Sequence, residues 1–423
     1  MNNQVKMFFV FALTGASVFA QDWNAIQAKL NNADVKTIVN MLTSKDVYER
    51  EAALAQIARD DKRSELTRAA ADALESLKSI EVKVQLIAVL TERNDPAASS
   101  AIRKALRDAD ADVRKAAVIA CGLTKDDKAA DALIEMYKQT STSTDDVREA
   151  LRRIPNPSID RYLLKAFKST STANRAAILD LLAARHYKDV YALAMNPQLF
   201  DGSDMALTKS AVSVIRTYAP EGAFRSLLDF ALTLQPSAAD LLLGSLTTTL
   251  TESSDKVAHE KYIVSLLPTC SPDFTPVLTA LLGVSQGPIA LNTLSQRLES
   301  GDVETRKDAA RNLGKWNNED ALPALIFAGK NDRDLGVQNL AWRMLVDVAK
   351  RDDKIVISNR AVAALKETIW LAPRRAERSV ALDALKLYAK KSDSVKGLLD
   401  RVEAERLELA DEVRQIKQEL NIK

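Results

Sequence analysis

Apolar residues recur along this chain at helical spacing, in short blocks that end at Gly, Pro or Asp and then begin again. Asp110–Leu123 is the clearest block: Val113, Ala116, Ala117 and Ala120 fall at i, i+3, i+4 and i+7, one face of a helix. Asp110 or Asp112 can cap its start, and Gly122 marks its expected end. Gly301–Gly314 repeats the same grammar. Asn318–Gly329 reads as the first helix of a pair, with Asp320 as cap and Pro323 in the first turn, and Asn331–Leu345 starts the partner.

An Arg ahead of an Ala-Ala pair marks each unit: Arg50 with Ala52-Ala53, Arg114 with Ala116-Ala117, Arg175 with Ala176-Ala177, Arg306 with Ala309-Ala310. Measured on the second Ala, these steps are close to two, two and four units of about 32 residues, the period range of helical solenoids. A helix pair of that length buries its apolar face only against its neighbours. The pattern therefore predicts an all-α chain, a right-handed α-solenoid of about eleven helix pairs over 21–390. Between 201 and 300 the units degenerate. That stretch holds six basic and ten acidic residues and is rich in Leu, Thr, Ser and Pro. At the C-terminus Val402, Leu409 and Ile416 recur every seven residues, with Leu399, Val413 and Leu420 at companion positions. One longer helix over 391–423 is expected, either capping the solenoid or pairing with a second copy as a coiled coil.

Asp112-Val113-Arg114, Asp146-Val147-Arg148 and Ala321-Leu322-Pro323-Ala324-Leu325 resemble the HEAT-repeat family, in its short bacterial, armadillo-like form. The good matches lie around 80–185 and 288–350, with weaker ones at Asp46-Val47 and Glu377-Arg378. The resemblance implies a stack of helix pairs and, for most of the family, a binding scaffold. It also admits bilin lyases and DNA glycosylases, so an enzyme or a chromophore-handling protein is the alternative.

Residues 1–20 read differently. Lys6, an apolar run from Met7 to Phe19, and Val18-Phe19-Ala20 have the form of a secretory signal peptide cleaved before Gln21, with an uncleaved anchor as the other reading. Export to the periplasm or the medium follows, with no membrane insertion after cleavage. Cleavage leaves 58 basic and 57 acidic residues, too even a balance to draw a nucleic acid. Cys121 and Cys270 are separated by more than four units, beyond disulfide reach in a stack, and are expected as small buried hydrophobes.

No catalytic, cofactor or metal constellation stands out. Asp108, Asp110 and Asp112 have the spacing of the first ligands of a calcium loop, but Val113 and Ile119 occupy the positions that need Gly and Glu. His259-Glu260 lacks a second His at Ile263. The repeated Arg114, Arg148, Arg175, Arg306 and Arg378 suit a ladder of ion pairs along the stack, or else a basic stripe. Trp316 and Trp342 are expected in the core. Trp370, beside Arg374 and Arg375, is poised between core and interface. The weakly charged middle is either a buried bend or a partner surface, and in the second case Phe224, Phe230 and Phe274 would contribute contacts. The expected partner is a protein or peptide, with homo-oligomerisation open through the C-terminal helix.

Overall fold

The computed structural model describes residues 30, 33–60, 63–139, 145–169, 172–350, 358–389 and 392–422. The expected signal peptide lies outside them. Among the described residues every regular element is a helix, and the chain divides into two compact units, Met1–Val190 and Tyr191–Lys423.

The first unit holds five helix pairs: α1 (Val35–Met41) with α2 (Val47–Arg59), α3 (Ser64–Ala73) with α4 (Ile80–Arg93), α5 (Pro96–Ala105) with α6 (Ala111–Leu123), α7 (Ala130–Gln139) with α8 (Asp145–Arg153), and α9 (Pro157–Ser169) with α10 (Thr172–Ala184). First helices stack on first helices and second helices on second helices, which makes two layers. The starts are set locally. Asp46 accepts from Tyr48 N at 2.9 Å, Asp95 from Ala97 N at 2.9 Å ahead of Pro96, and Asp110 from Asp112 N at 2.8 Å. Each such cap contributes about 1 kcal/mol.

α11 (Val190–Ala194) falls at the division. The second unit continues with α12 (Met205–Tyr218), α13 (Phe224–Leu232), a six-residue α14 (Pro236–Leu241) and α15 (Leu243–Glu252). Five pairs follow: α16 (Lys256–Leu266) with α17 (Thr275–Ser285), α18 (Pro288–Arg297) with α19 (Val303–Leu313), α20 (Leu322–Asn331) with α21 (Leu335–Lys350), α22 (Asn359–Leu371) with α23 (Arg375–Ala389), and α24 (Asp393–Glu405) with α25 (Ala410–Leu420). From α15 through α17, α19, α21 and α23 to α25 the second helices again form one layer. Its apolar faces are Ala- and Leu-rich, and Trp316 and Trp342 are buried among them as expected.

Three expectations are corrected. Asn318, not Asp320, caps the turn into α20, accepting from Asp320 N at 3.0 Å. Gly122 lies one residue before the end of α6, as expected, and an added Cβ there would sit 2.8 Å from Ala150 Cα, so the missing side chain sets the close approach of α6 to α8. Cys121 is buried, but Cys270 is half-exposed, with Sγ 3.6 Å from Leu267 O. The single helix over 391–423 is a hairpin. Arg406 breaks the chain between α24 and α25, and the apolar positions Leu399, Val402, Leu409, Val413 and Ile416 are buried within the molecule.

Candidate functional site

The arginine of the repeat is the fourth residue of its helix in α2, α6, α19 and α23. From the first turn its guanidinium reaches back over the preceding loop. Arg50 donates to Ser44 O and Lys45 O at 2.9 and 3.1 Å, and Arg114 to Asp108 O and Ala109 O, both at 2.8 Å. Arg306 donates to Ser300 O and Gly301 O at 2.9 and 3.1 Å, and Arg378 to Ala372 O at 2.6 Å. The loop carbonyls left without helical partners are satisfied this way. In α21 Gln338 makes the same reach, to Asp332 O at 2.5 Å. So the residue is first a clasp on its own turn. It is a ladder only at some joints: Arg306 holds Asp332 of the next turn through two bonds of 2.8 and 3.1 Å, and Arg378 holds Glu408 at 2.8 Å. Arg148 pairs with Asp145 of its own first turn, and Arg175 lies over the Phe167 ring at 4.8 Å.

A second set was missed by sequence reasoning. Arg93 near the end of α4 donates to Ile57 O and Asp60 O at the end of α2. Arg185 follows α10 and donates to Leu151 O and Ile154 O behind α8, and Arg406 donates to Trp370 O in α22. Tyr388 Oη donates to Ala349 O at 2.7 Å. Each group satisfies the C-terminal carbonyls of a helix one repeat earlier, where the helix dipole also favours a cation. Their sequence signal is only a donor near a helix end, about 30–40 residues after another helix end.

The candidate contact residues are not brought together. Phe224 is fully buried and packs on His259, ring centroids 4.6 Å apart. Phe274 is also buried, and Phe230 stands edge-on to Phe200 at 5.6 Å. Phe224 and Phe274 are core residues, because in a helix pair with few charges the aromatic rings take the inner face. Trp370 is half-buried, with Nε1 donating to Glu405 at 3.0 Å and Arg401 over its ring. Arg374 is exposed, and Arg375 pairs with Glu412 at 3.0 Å.

The weakly charged middle owes its low charge to hydroxyls rather than to bare apolar surface. Thr217, Ser226, Thr233, Thr248, Thr249, Thr251, Ser265 and Thr269 all donate to carbonyls of their own helix or its end, within four residues. Large exposed apolar side chains there are few and scattered, namely Met205, Leu241 and Val257.

His259 Nε2 lies 2.8 Å from Ser253 Oγ, and burial, then Arg225, holds its pKa below the ordinary imidazole value. Glu260 is buried and accepts from Ala290 N at the start of α18, occupying the space that a Cβ on Gly287 would fill. Asp110 is a cap, and Asp108 pairs with Lys83 at 2.7 Å, which with the Asp110 N–H lowers its pKa. Among the described residues no group of three or more His, Cys, Asp or Glu is placed to hold a metal ion, and no helix is long and apolar enough to cross a membrane.

These layers of stacked helix pairs define an α-solenoid. Residues 72–154 and 291–386 match the family model described as HEAT repeats, so these two stretches carry HEAT repeats. The match leaves most of the weakly charged middle uncovered. No curated protein matches the sequence. Among solved structures the karyopherin Kap121p bound to the SUMO protease Ulp1p is 12% identical, with a TM-score of 0.56 over 99% of this chain and 54% of that one. Kap121p bound to the extreme C-terminus of the protein phosphatase Cdc14p is 11% identical, with a TM-score of 0.55 over 97% and 54%. The chain spans about half the length of these structures, and at such identities the likeness is one of fold.

Proposed function

We propose that this chain is an exported, non-catalytic scaffold that holds a protein or peptide partner on the surface of its helix layers. The observation that carries the reading is how the polar side chains are used. The arginines of the repeat are spent on loop carbonyls and on ion pairs between repeats, and Arg185 is spent on a helix end. A chain so invested in the regularity of its stack offers extended surface. The solved solenoids that it resembles include Kap121p bound to the SUMO protease Ulp1p and to the extreme C-terminus of the protein phosphatase Cdc14p. Export rests on the sequence of residues 1–20 alone.

The test is affinity capture from the native envelope fraction with the mature protein beginning at Gln21. One protein retained in stoichiometric amount, and released by excess free mature protein, is the expected result. Stoichiometric uptake of a coloured cofactor, or turnover of a captured small molecule, would replace the scaffold with the lyase-like alternative.

A further inference from the structure

At the joint between α22–α23 and the terminal hairpin the charges divide by side. Residues 358–389 carry six basic and three acidic side chains, and residues 392–422 carry five and eight. The contacts follow that division. Trp370 Nε1 donates to Glu405, Arg378 to Glu408, Arg375 to Glu412 and Lys386 to Glu419. In each case the donor lies on α22–α23 and the carboxylate on the hairpin. Beneath them Val395, Leu399, Val402, Leu409, Val413 and Ile416 supply the apolar face.

These ion pairs are open to solvent. The side chains of Arg375 and Glu412 are 61% and 33% exposed, those of Lys386 and Glu419 34% and 41%, and those of Arg378 and Glu408 20% and 36%. Exposed pairs of this kind are screened by salt and contribute little stability each, while their pattern selects the sign of what docks. The hairpin also has fastenings of its own, Lys417 to Asp400 and Glu403 at 2.7 and 2.6 Å.

We propose that the edge formed by Trp370, Arg375, Arg378 and Lys386 is a docking surface for an acidic amphipathic helical segment, and that the terminal hairpin is its built-in, displaceable occupant. Arg374, exposed beside Arg375, extends the same basic edge. The inference rests on the scaffold reading and names the chemistry of one partner class. Apolar burial supplies the affinity and the glutamates supply the choice of segment.

The probe is a fluorescein-labelled peptide of residues 392–422, added to the full mature chain. Wild type, with its own hairpin seated, should bind it at least about ten-fold more weakly than a Glu405→Lys/Glu412→Lys/Glu419→Lys chain, whose hairpin is repelled from the edge. Binding to that variant should weaken as salt rises, and a peptide carrying the same three substitutions should not bind. Equal uptake by wild type and variant, or equal uptake of the two peptides, overturns the proposal. If the variant fails to fold, hydrogen exchange on wild type decides. Amides of 393–420 should exchange faster in 1 M than in 0.05 M salt while those of α19–α21 are unchanged, and an unchanged hairpin overturns the proposal. Failure here leaves capture of a partner by other surfaces untouched, so the two readings fall separately.

Discussion

Ala117 and Lys115 are two positions apart in α6 and face opposite fates. Ala117 is fully buried in the layer of second helices, whereas Lys115 is exposed and 3.5 Å from Asp146 of α8. Ala117→Asp places a carboxylate where no cation or donor waits, at about 3–5 kcal/mol. Lys115→Asp exchanges an exposed attraction for an exposed repulsion and should stay within about 1 kcal/mol. Urea midpoints of the two variants check this, and similar losses would mean that the helix face is assigned wrongly. The thiols divide in the same way. Burial pushes the Cys121 thiol up to about 12, while Cys270 is half-exposed. Because the thiolate is the nucleophile, Cys121 stays protonated and inert at pH 8. A disulfide reagent should therefore titrate one thiol in the native protein and two in denaturant, and two rapid native thiols would contradict the burial of Cys121.

At the scale of the element, two arginines of one motif are expected to differ in worth. Arg114 donates to two loop carbonyls at 2.8 Å, and Arg306 adds a bidentate hold on buried Asp332. Arg114→Ala should cost about 1–2 kcal/mol, since the loop carbonyls can turn to water. Arg306→Ala strands a carboxylate with almost no exposure and should cost about 3–5 kcal/mol. Chemical denaturation of both variants measures the gap, and equal costs would show that the pair with Asp332 adds nothing.

Legibility divides along the same line. The cap at Asp110 was readable because its carboxylate acts on amides two and three residues away, while the cap of the turn into α20 is Asn318, two residues ahead of the Asp320 expected. The partners of Arg93 and Arg185 lie some thirty residues back, and no local pattern encodes them. The break at Arg406 was hidden because Val402, Leu409 and Ile416 keep a seven-residue period across the turn: both arms of the hairpin face the same core. For Phe224 and Phe274 the sequence leaves a buried bend and a partner surface both open, because scarce charge does not by itself distinguish hydroxyls that bind their own helices from apolar surface; both rings are buried.

For the molecule as a whole, a stack held by contacts between adjacent repeats should not melt as one body. Its stability is close to a sum of repeat and nearest-neighbour terms, so a defect is felt most in the repeats beside it. The tryptophans make this measurable. Trp316 and Trp342 are buried in the second unit and Trp370 is half-buried there, while Trp23 lies near the N-terminus, before the first described helix. Tryptophan emission thus reports chiefly on 316–370, whereas far-ultraviolet circular dichroism reports on every helix. Ala117→Asp lies in the first unit, nearly two hundred residues before Trp316. In urea it should move the early part of the dichroism transition to lower denaturant and leave the emission transition where it is in wild type. Two probes shifting together, by the same amount, would mean that the helix pairs unfold as a single cooperative unit and that nearest-neighbour energetics do not describe this chain.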